Sequence, residues 1–167
     1  SAAALAACRP TAQAPRSLRI LVLGGTGFLG PYDVRCALQR GHQVTVFNRG
    51  KSGAGMFGKD VEELVGDRGN DLGALKGRRW DAVIDESASL SSAPEWVRAS
   101  ADLLKDRVDH YLYTSTRSVY LDTSRVPMTA DAPVLTRENS PVAADKPLPY
   151  GHAKAYAEKA ALAALPG

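Results

Sequence analysis

The sequence predicts an α/β fold, a doubly wound parallel sheet, from three observations. First, an apolar run from Ile20 to Leu23 leads directly into glycines spaced Gly24-x-x-Gly27-x-x-Gly30. Second, further apolar runs of strand length alternate with segments of helical spacing, which is typical of right-handed crossovers between parallel strands. Third, 167 residues with 44% hydrophobic content are enough for one core, and therefore for a single domain of this class.

The apolar run suits a strand that is buried on both faces of a parallel sheet. Of the glycines that follow, Gly24 allows a tight turn, Gly27 allows a close approach to a pyrophosphate, and Gly30 allows the next helix to pack against the strand. A pyrophosphate would lie on the N–H groups at the positive end of that helix, at Phe28, Leu29 and Gly30. The position of the glycines between a strand and a helix favours a dinucleotide site over a turn without a ligand.

The first helix is predicted from Phe28 to Arg40 and the second strand from Gln43 to Phe47, which completes a βαβ unit. At the end of this strand an acidic residue would bind the adenosine ribose of NAD, but this chain has Asn48 followed by Arg49. Without a carboxylate to repel a 2′-phosphate, and with cations nearby, NADP is favoured over NAD. Arg49 could also stack on the adenine or face solvent.

The remaining alternation predicts strands at Glu62 to Val65, Trp80 to Asp85 and Val108 to Thr114, a brief helix at Leu72 to Leu75, and helices at Pro94 to Leu104 and Tyr150 to about Leu165. Asp67 and Arg68 follow the third strand and are expected to bind the cofactor. Asp67 could accept a hydrogen bond from an adenine amino group or simply form a turn. After the fourth strand, the small side chains of Ser87 and Ala88 would leave space beside a cofactor. Trp96 is predicted to be a core residue.

Hydroxyl side chains follow the fifth strand, in the segment from Thr114 to Tyr120. Ligands of open α/β sheets lie beyond the carboxyl ends of the strands, so these hydroxyls should face the same crevice as the glycine turn. After an irregular Pro-rich stretch, Tyr150 and Lys154 lie four residues apart and therefore on one helix face. An ammonium near a phenol favours the phenolate, which makes the tyrosine a usable base at neutral pH.

From Leu18 to its end, the chain resembles the extended short-chain dehydrogenase/reductase family, the NAD(P)-dependent epimerases and dehydratases, whose nucleotide-binding part is a Rossmann fold. GGTGFLG resembles the family's glycine turn, and Gly66-Asp67 resembles its adenine-side motif. TSTRSVY resembles the segment that carries the family's catalytic Ser or Thr, and YGHAK resembles its Tyr-x-x-x-Lys motif. Counted back from Tyr120, the resemblance puts Thr116 at the catalytic hydroxyl position, with Ser115 as the fallback.

The resemblance implies that Tyr150 moves a proton on or off a substrate hydroxyl, that Thr116 hydrogen-bonds the same oxygen, and that Lys154 binds the nicotinamide ribose. The implied substrate is a small molecule, a sugar nucleotide or another hydroxyl or carbonyl compound. The alternative is a non-catalytic dinucleotide-binding protein, either a redox sensor or an atypical RNA-binding relative. A homodimer through the helices at 94–104 and 150–165 is implied as well.

Two departures from the family limit these expectations. Asn48 replaces the usual acidic residue, and the C-terminal substrate region of the family is absent from this sequence. The 167-residue chain is therefore expected to bind dinucleotide weakly and to turn over poorly. The net charge of +3 comes from dispersed Lys and Arg, so nucleic-acid binding is not expected, and no apolar run predicts a transmembrane segment. The histidines show no metal-ligand spacing, and His152 is predicted to be a surface residue.

Residues 1–16 are predicted to be a disordered tail, and residues 17–167 the NAD(P)-binding domain. The segment Leu5 to Cys8 resembles a bacterial lipobox, in which the cysteine is lipidated after signal cleavage. The compartment is therefore left open between cytoplasmic and, if the tail is a signal remnant, bacterial cell envelope or periplasm. Cys36 is predicted to be a small buried residue of the first helix.

Overall fold

The computed structural model describes residues 16–86, 91–124 and 126–165. Five strands form one sheet: β1 (Arg19–Leu23), β2 (Gln43–Asn48), β3 (Val61–Val65), β4 (Trp80–Asp85) and β5 (Val108–Tyr113). Three α-helices accompany them: α1 (Gly30–Gln39), α2 (Ala93–Leu104) and α3 (Tyr150–Ala164). The spatial order is β3-β2-β1-β4-β5 and every neighbouring pair is parallel. The predicted doubly wound parallel sheet is confirmed.

The strand order reverses at β1, which lies between β2 and β4. Leu23, the last residue of β1, is in register with Phe47 of β2 and with Asp85 of β4, so all three strands reach the carboxyl edge of the sheet together. In an open α/β sheet this reversal opens a crevice that takes ligands. The loops that follow these strands are therefore placed to form a common site.

Alternate residues of β1 belong to opposite faces of the sheet. Ile20 and Val22 pack with Val34 of α1 on one face, while Leu21 and Leu23 pack with Leu104 of α2 on the other. Each of these buried aliphatic side chains contributes about 1.5–3 kcal/mol relative to exposure. The uninterrupted apolar run of the sequence thus supplies two cores at once.

The helices end where local sequence signals place their ends. Pro31 lies in the first turn of α1, where its missing N–H costs no helical hydrogen bond. Gly41 stops the same helix with a φ of +81°, a conformation that L side chains rarely adopt. Between β5 and α3, a short 3-10 helix at Arg117–Val119 is followed by a stretch that is irregular within its described residues, as its prolines predict.

Two sequence-based predictions about individual side chains are wrong. Cys36 is exposed, because it lies on the side of α1 away from the buried Val34 and Ala37. His152 is half-buried and not a free surface residue: its Nε2 lies 3.0 Å from the Ser140 hydroxyl oxygen, which ties the irregular stretch to α3.

Some predictions fall on residues 1–15 and 87–90, which lie outside the described residues. They are the N-terminal tail, the lipobox at Cys8, and the small side chains of Ser87 and Ala88. Across the described ranges, no helix combines the length and the apolar character that a bilayer crossing needs.

Candidate functional site

The glycine turn joins the end of β1 to the start of α1. Gly24 adopts a φ of +90°, and its N–H donates to the Phe47 carbonyl oxygen at 3.0 Å. The Gly27 N–H closes the turn on the Gly24 carbonyl oxygen at 2.9 Å. A Cβ on Gly30 would lie 2.6 Å from backbone atoms of Gly24 and Gly25, so only glycine fits there. The turn therefore brings bare backbone to the positive end of α1, which is suited to a phosphate.

A cleft extends from this turn along the carboxyl edge of the sheet. Gly24 and Gly27 line one end of it, Asn48 and Arg49 line it beyond β2, and Asp67 lines it beyond β3. The predicted residues Phe28 and Leu29 have exposed side chains beside this end, 91% and 43% respectively, which leaves the turn open to a ligand. The structure thus gathers the predicted adenine, ribose and pyrophosphate residues around one cavity.

Asn48 has an unused hydrogen-bond donor in this cleft. Its side chain is only 9% exposed, and its Oδ1 accepts a hydrogen bond from the Gly50 N–H at 2.7 Å. Within the described residues, its Nδ2 has no partner. A buried amide donor without an acceptor costs about 1–3 kcal/mol, which a ligand acceptor would offset. Together with the glycine backbone, this donor indicates that the cleft fits a dinucleotide.

Asp67 forms the turn after β3. Its Oδ1 accepts a hydrogen bond from the Gly69 N–H at 2.8 Å, and its own N–H donates to the Asp71 carbonyl oxygen at 2.8 Å. The turn interpretation of Asp67 is therefore observed directly. Since its side chain also lines the cleft, a contact with adenine stays a prediction.

Arg68 lines the cleft, but its guanidinium is bound to side chains of the fold, so a contact with a cofactor stays a prediction. Its guanidinium donates to both carboxylate oxygens of the fully buried Asp85 and to the Ser100 hydroxyl, and Asp85 also accepts from the Tyr111 hydroxyl. Burial alone would lower the pKa of Arg68, but the adjacent Asp85 carboxylate outweighs it and raises that pKa. The guanidinium thus neutralises a buried carboxylate. Only those atoms of Arg68 that line the cleft could contact a cofactor.

Lys154 of α3 lies at the carboxyl end of β5. Its side chain is only 4% exposed; its Nζ donates to the Thr114 carbonyl oxygen and lies 4.4 Å from the centroid of the Tyr113 ring. Burial lowers the pKa of Lys154, an effect that the carboxylates of Asp85 and Glu86 oppose. The Thr114 carbonyl oxygen and the Tyr113 ring, rather than solvent, therefore hold the ammonium in place.

Glu86 connects Lys154 to the glycine turn. The Thr114 hydroxyl donates to its carboxylate at 2.6 Å, and its backbone carbonyl oxygen lies 3.2 Å from where a Cβ of Gly24 would be. Glu86 also lines the cleft. The sequence analysis missed this residue; its position directly after β4 is the signal that could have found it.

The remaining predicted catalytic residues are Tyr150, at the start of α3, and Thr116 with its fallback Ser115, in the segment that follows β5. A Cβ on Gly151 would overlap the Ser118 carbonyl oxygen, so α3 approaches this segment closely next to Tyr150. The Thr116 hydroxyl accepts a hydrogen bond from the Ser118 N–H at 3.2 Å. The hydroxyl of Ser115 is buried without a partner in the described part of the chain. Tyr150 is 44% exposed.

The prediction that Trp96 is a core residue is also wrong. Val97, Ala101 and Leu104 form the buried stripe of α2 as predicted, but Trp96 is half-buried and lines the cleft. Trp96 lies at the edge of that stripe, near the start of α2, and its side chain extends toward the cleft. In the described ranges, no group of carboxylate, histidine and cysteine side chains has the arrangement of a metal site.

A profile described as the NAD dependent epimerase/dehydratase family matches residues 20–165. The chloroplast stem-loop binding protein of 41 kDa b from Arabidopsis thaliana is 29% identical over 124 residues, which cover 65% of this chain and 32% of that protein. The structure of the Bordetella bronchiseptica enzyme WbmG in complex with NAD is similar with a TM-score of 0.69 and 20% identity, covering 89% of this chain and 50% of that one.

A UDP-galactose 4-epimerase is similar with a TM-score of 0.67 and 23% identity, covering 84% of this chain and 49% of that one. At such identities the likeness to solved structures shows the fold alone. This chain spans about half the length of these two solved chains and about a third of the Arabidopsis protein.

Proposed function

The chain belongs to the NAD dependent epimerase/dehydratase family, and on that basis we propose that it forms the NADP- or NAD-binding part of an epimerase, dehydratase or reductase. The observation that carries the proposal is a continuous set of contacts. The Glu86 backbone lies against the glycine turn at Gly24. The Glu86 carboxylate accepts a hydrogen bond from the Thr114 hydroxyl, and the Thr114 carbonyl oxygen accepts one from the Lys154 ammonium. These contacts support a crevice in which the diphosphate of a dinucleotide would lie on the glycine turn, with Lys154 near its nicotinamide end.

The proposed substrate is a sugar nucleotide or another compound with a hydroxyl or carbonyl group. UDP-galactose 4-epimerase, as its name says, acts on a sugar nucleotide, which supports this class. A bound nicotinamide ring would supply hydride acceptance or donation. The chain's own part is to move a proton at the substrate oxygen through the Tyr150 hydroxyl, with a hydrogen bond from Thr116 and with Lys154 held at the strand end beside them.

We also propose that the cleft prefers NADP to NAD. The end of β2 offers the amide donor of Asn48 and the cation of Arg49 in place of a carboxylate, and both residues line the cleft. A 2′-phosphate would meet a donor and a positive charge there, whereas a carboxylate would repel it.

Calorimetric titration with NADPH and with NADH tests this proposal. Arg49→Ala should weaken NADPH binding about tenfold and leave NADH binding nearly unchanged, because a charge-assisted hydrogen bond contributes roughly 1.5–3 kcal/mol before solvent screening. Asn48→Asp should reverse the preference, since the carboxylate retains the acceptor for Gly50 and adds a negative charge. The control is Lys59→Ala, which removes an exposed cation outside the cleft. Equal losses for both dinucleotides would contradict the NADP assignment.

A second candidate is a non-catalytic protein that binds RNA. The observation in its favour is the similarity to the Arabidopsis protein, whose name describes stem-loop binding. Such a protein would keep its function without a proton-transferring tyrosine, so substitutions at Tyr150 separate the two candidates.

A further inference from the structure

Trp96 presents part of its indole to the cleft instead of burying it in the core. The chain has two tryptophans, and the other one, Trp80, is only 3% exposed and packs among core residues. Trp96 is half-buried and lines the cleft together with Gly66 and Asp67, which follow β3. A large aromatic side chain in this position offers a flat apolar face to a ligand of the cleft.

Contacts with the turn after β3 fix the position of this indole. A Cβ on Gly69 would lie 3.1 Å from the Nε1 of Trp96 and 3.3 Å from the Oδ1 of Asp67. The indole and the Asp67 carboxylate therefore both lie against the Gly69 backbone, where a side chain would crowd them. An aromatic ring and a hydrogen-bond acceptor are thus neighbours in the lining of the cleft.

Hydrogen bonds hold the backbone of Trp96 as well. Its carbonyl oxygen accepts from the Nη2 of Arg68 at 3.3 Å and from the Ser100 hydroxyl at 2.9 Å. Arg68 is itself bound to the buried Asp85. The start of α2 is therefore attached to the end of β3, and a ligand would meet an indole that is already in place. Binding to a side chain that is already held costs less conformational entropy than binding to a mobile one.

A second aromatic ring lies in the same part of the cleft. Phe47, near the end of β2, is 1% exposed and belongs to the lining, and a Cβ on Gly66 would lie 2.5 Å from its ring. The surroundings of Trp96 are therefore apolar, apart from the Asp67 carboxylate. This combination suits a purine base with an exocyclic amino group, because the ring can stack and the amino group can donate a hydrogen bond.

We propose that the adenine ring of the dinucleotide stacks on the Trp96 indole, and that Trp96 is the residue that selects an adenine nucleotide. The glycine turn recognises phosphate and cannot distinguish one base from another, so selection of the base falls to another part of the cleft. Stacking on Trp96 assigns Arg49 to the 2′-phosphate and not to the adenine. This inference rests on the proposed dinucleotide function and names the group that binds its base.

Tryptophan fluorescence of the wild-type chain tests the stacking without any substitution. Titration with NAD⁺ or with ADP-ribose should quench the emission, because a base that stacks on an indole quenches it. Nicotinamide mononucleotide carries no adenine and should leave the emission unchanged. In Trp96→Phe the remaining emission comes from the buried Trp80, and it should not respond to NAD⁺.

Calorimetric titration gives a second readout. Trp96→Leu should raise the Kd for NAD⁺ and for ADP-ribose roughly tenfold or more, because it removes the aromatic face, whereas Trp96→Phe should stay within about threefold of wild type. The matched control is Tyr156→Leu, which replaces another half-buried aromatic side chain, outside the cleft, and should leave the Kd unchanged. Circular dichroism checks that each variant is folded.

The outcomes separate the two proposals. NAD⁺ binding that leaves the wild-type emission unchanged, or a folded Trp96→Leu variant with the wild-type Kd, overturns the stacking and leaves the dinucleotide site standing. Absence of calorimetric binding of both NAD⁺ and NADPH to the wild-type chain overturns the proposed function together with the inference that rests on it.

Discussion

Arg68 was expected to bind the cofactor, and its guanidinium forms an ion pair with the buried Asp85. Their side chains are 11% and 0% exposed, so the ion pair lies in a region where removal of one partner leaves the other charge without compensation. Asp85 also receives the hydroxyl of Tyr111, and burial raises the pKa of that phenol. The network ties β3, β4, β5 and α2 together directly below the cleft.

Asp85→Asn should therefore destabilise the chain by about 3–5 kcal/mol in urea unfolding, because it leaves the buried guanidinium of Arg68 uncompensated. The matched control is Asp81→Asn on the same strand, which breaks an exposed pair with Arg16 and should have a much smaller effect. The double variant Arg68→Met with Asp85→Leu should recover much of the loss, since it removes both buried charges. Equal effects of the two Asp→Asn substitutions would show that the buried pair has no special role.

Tyr150→Phe should lower any cofactor reduction or oxidation with sugar nucleotides by at least about 100-fold, because it removes the hydroxyl that we assign to proton transfer. The starting rate of the 167-residue chain is expected to be low: Tyr150 is 44% exposed, and water weakens the electrostatic stabilisation of a transition state. NADPH binding should not change. Tyr156→Phe, on the same helix and with a hydroxyl that has no hydrogen-bond partner among the described residues, should keep the wild-type rate. An unchanged rate in Tyr150→Phe would rule out its catalytic role.

At the scale of elements, α2 and α3 approach each other through small side chains. Ala93 and Val97 of α2 pack against Ala157 and Ala161 of α3, and Tyr111 and Tyr113 of β5 pack against this cluster. Small residues allow the two helices to lie close over the sheet, and this closeness brings Lys154 to the end of β5. The homodimer expected through these helices stays a prediction.

Ala157→Leu should destabilise the chain by about 1–3 kcal/mol in urea unfolding, because the larger side chain must push α3 away from α2. Ala163→Leu makes the same change at an exposed position of α3 and should alter stability by no more than about 0.5 kcal/mol. If both variants unfold at the same urea concentration, the close packing of the two helices does not limit stability.

At the scale of the whole molecule, the net charge bears on the choice between an enzyme and an RNA-binding protein. The net charge is only +3, and the cations are dispersed along the chain. A protein that neutralises several RNA phosphates gains affinity from counterion release, and that gain disappears as salt rises. The charge distribution therefore favours the dinucleotide-binding enzyme.

We expect that a fluorescently labelled stem-loop RNA will not bind this chain measurably at about 150 mM salt, where surface charges are screened beyond about 8 Å. Fluorescence anisotropy at increasing salt checks this. Binding at that salt with a steep salt dependence, unchanged in Tyr150→Phe, would instead support the RNA-binding candidate. A single-stranded RNA of the same length is the control for recognition of the stem-loop.

The positions of the elements follow from local sequence pattern. Strand β4 runs from Trp80 to Asp85 and α3 begins at Tyr150, both as predicted, and Gly24 and Gly30 occupy positions that only glycine tolerates without strain. These features depend on backbone sterics and on the spacing of apolar residues, which a sequence displays within ten or fifteen neighbours. The family motifs could be recognised for the same reason.

The partners of the polar side chains depend on the tertiary structure. Arg68 meets Asp85, and Glu86 meets Thr114, only because the strand order puts β4 between β1 and β5. No local pattern shows which loop lies beside which, since that depends on how five strands pack as one sheet. The polar contacts around the cleft, with the Arg68 guanidinium on the buried Asp85 and the Glu86 carboxylate on the Thr114 hydroxyl, were therefore decided by packing.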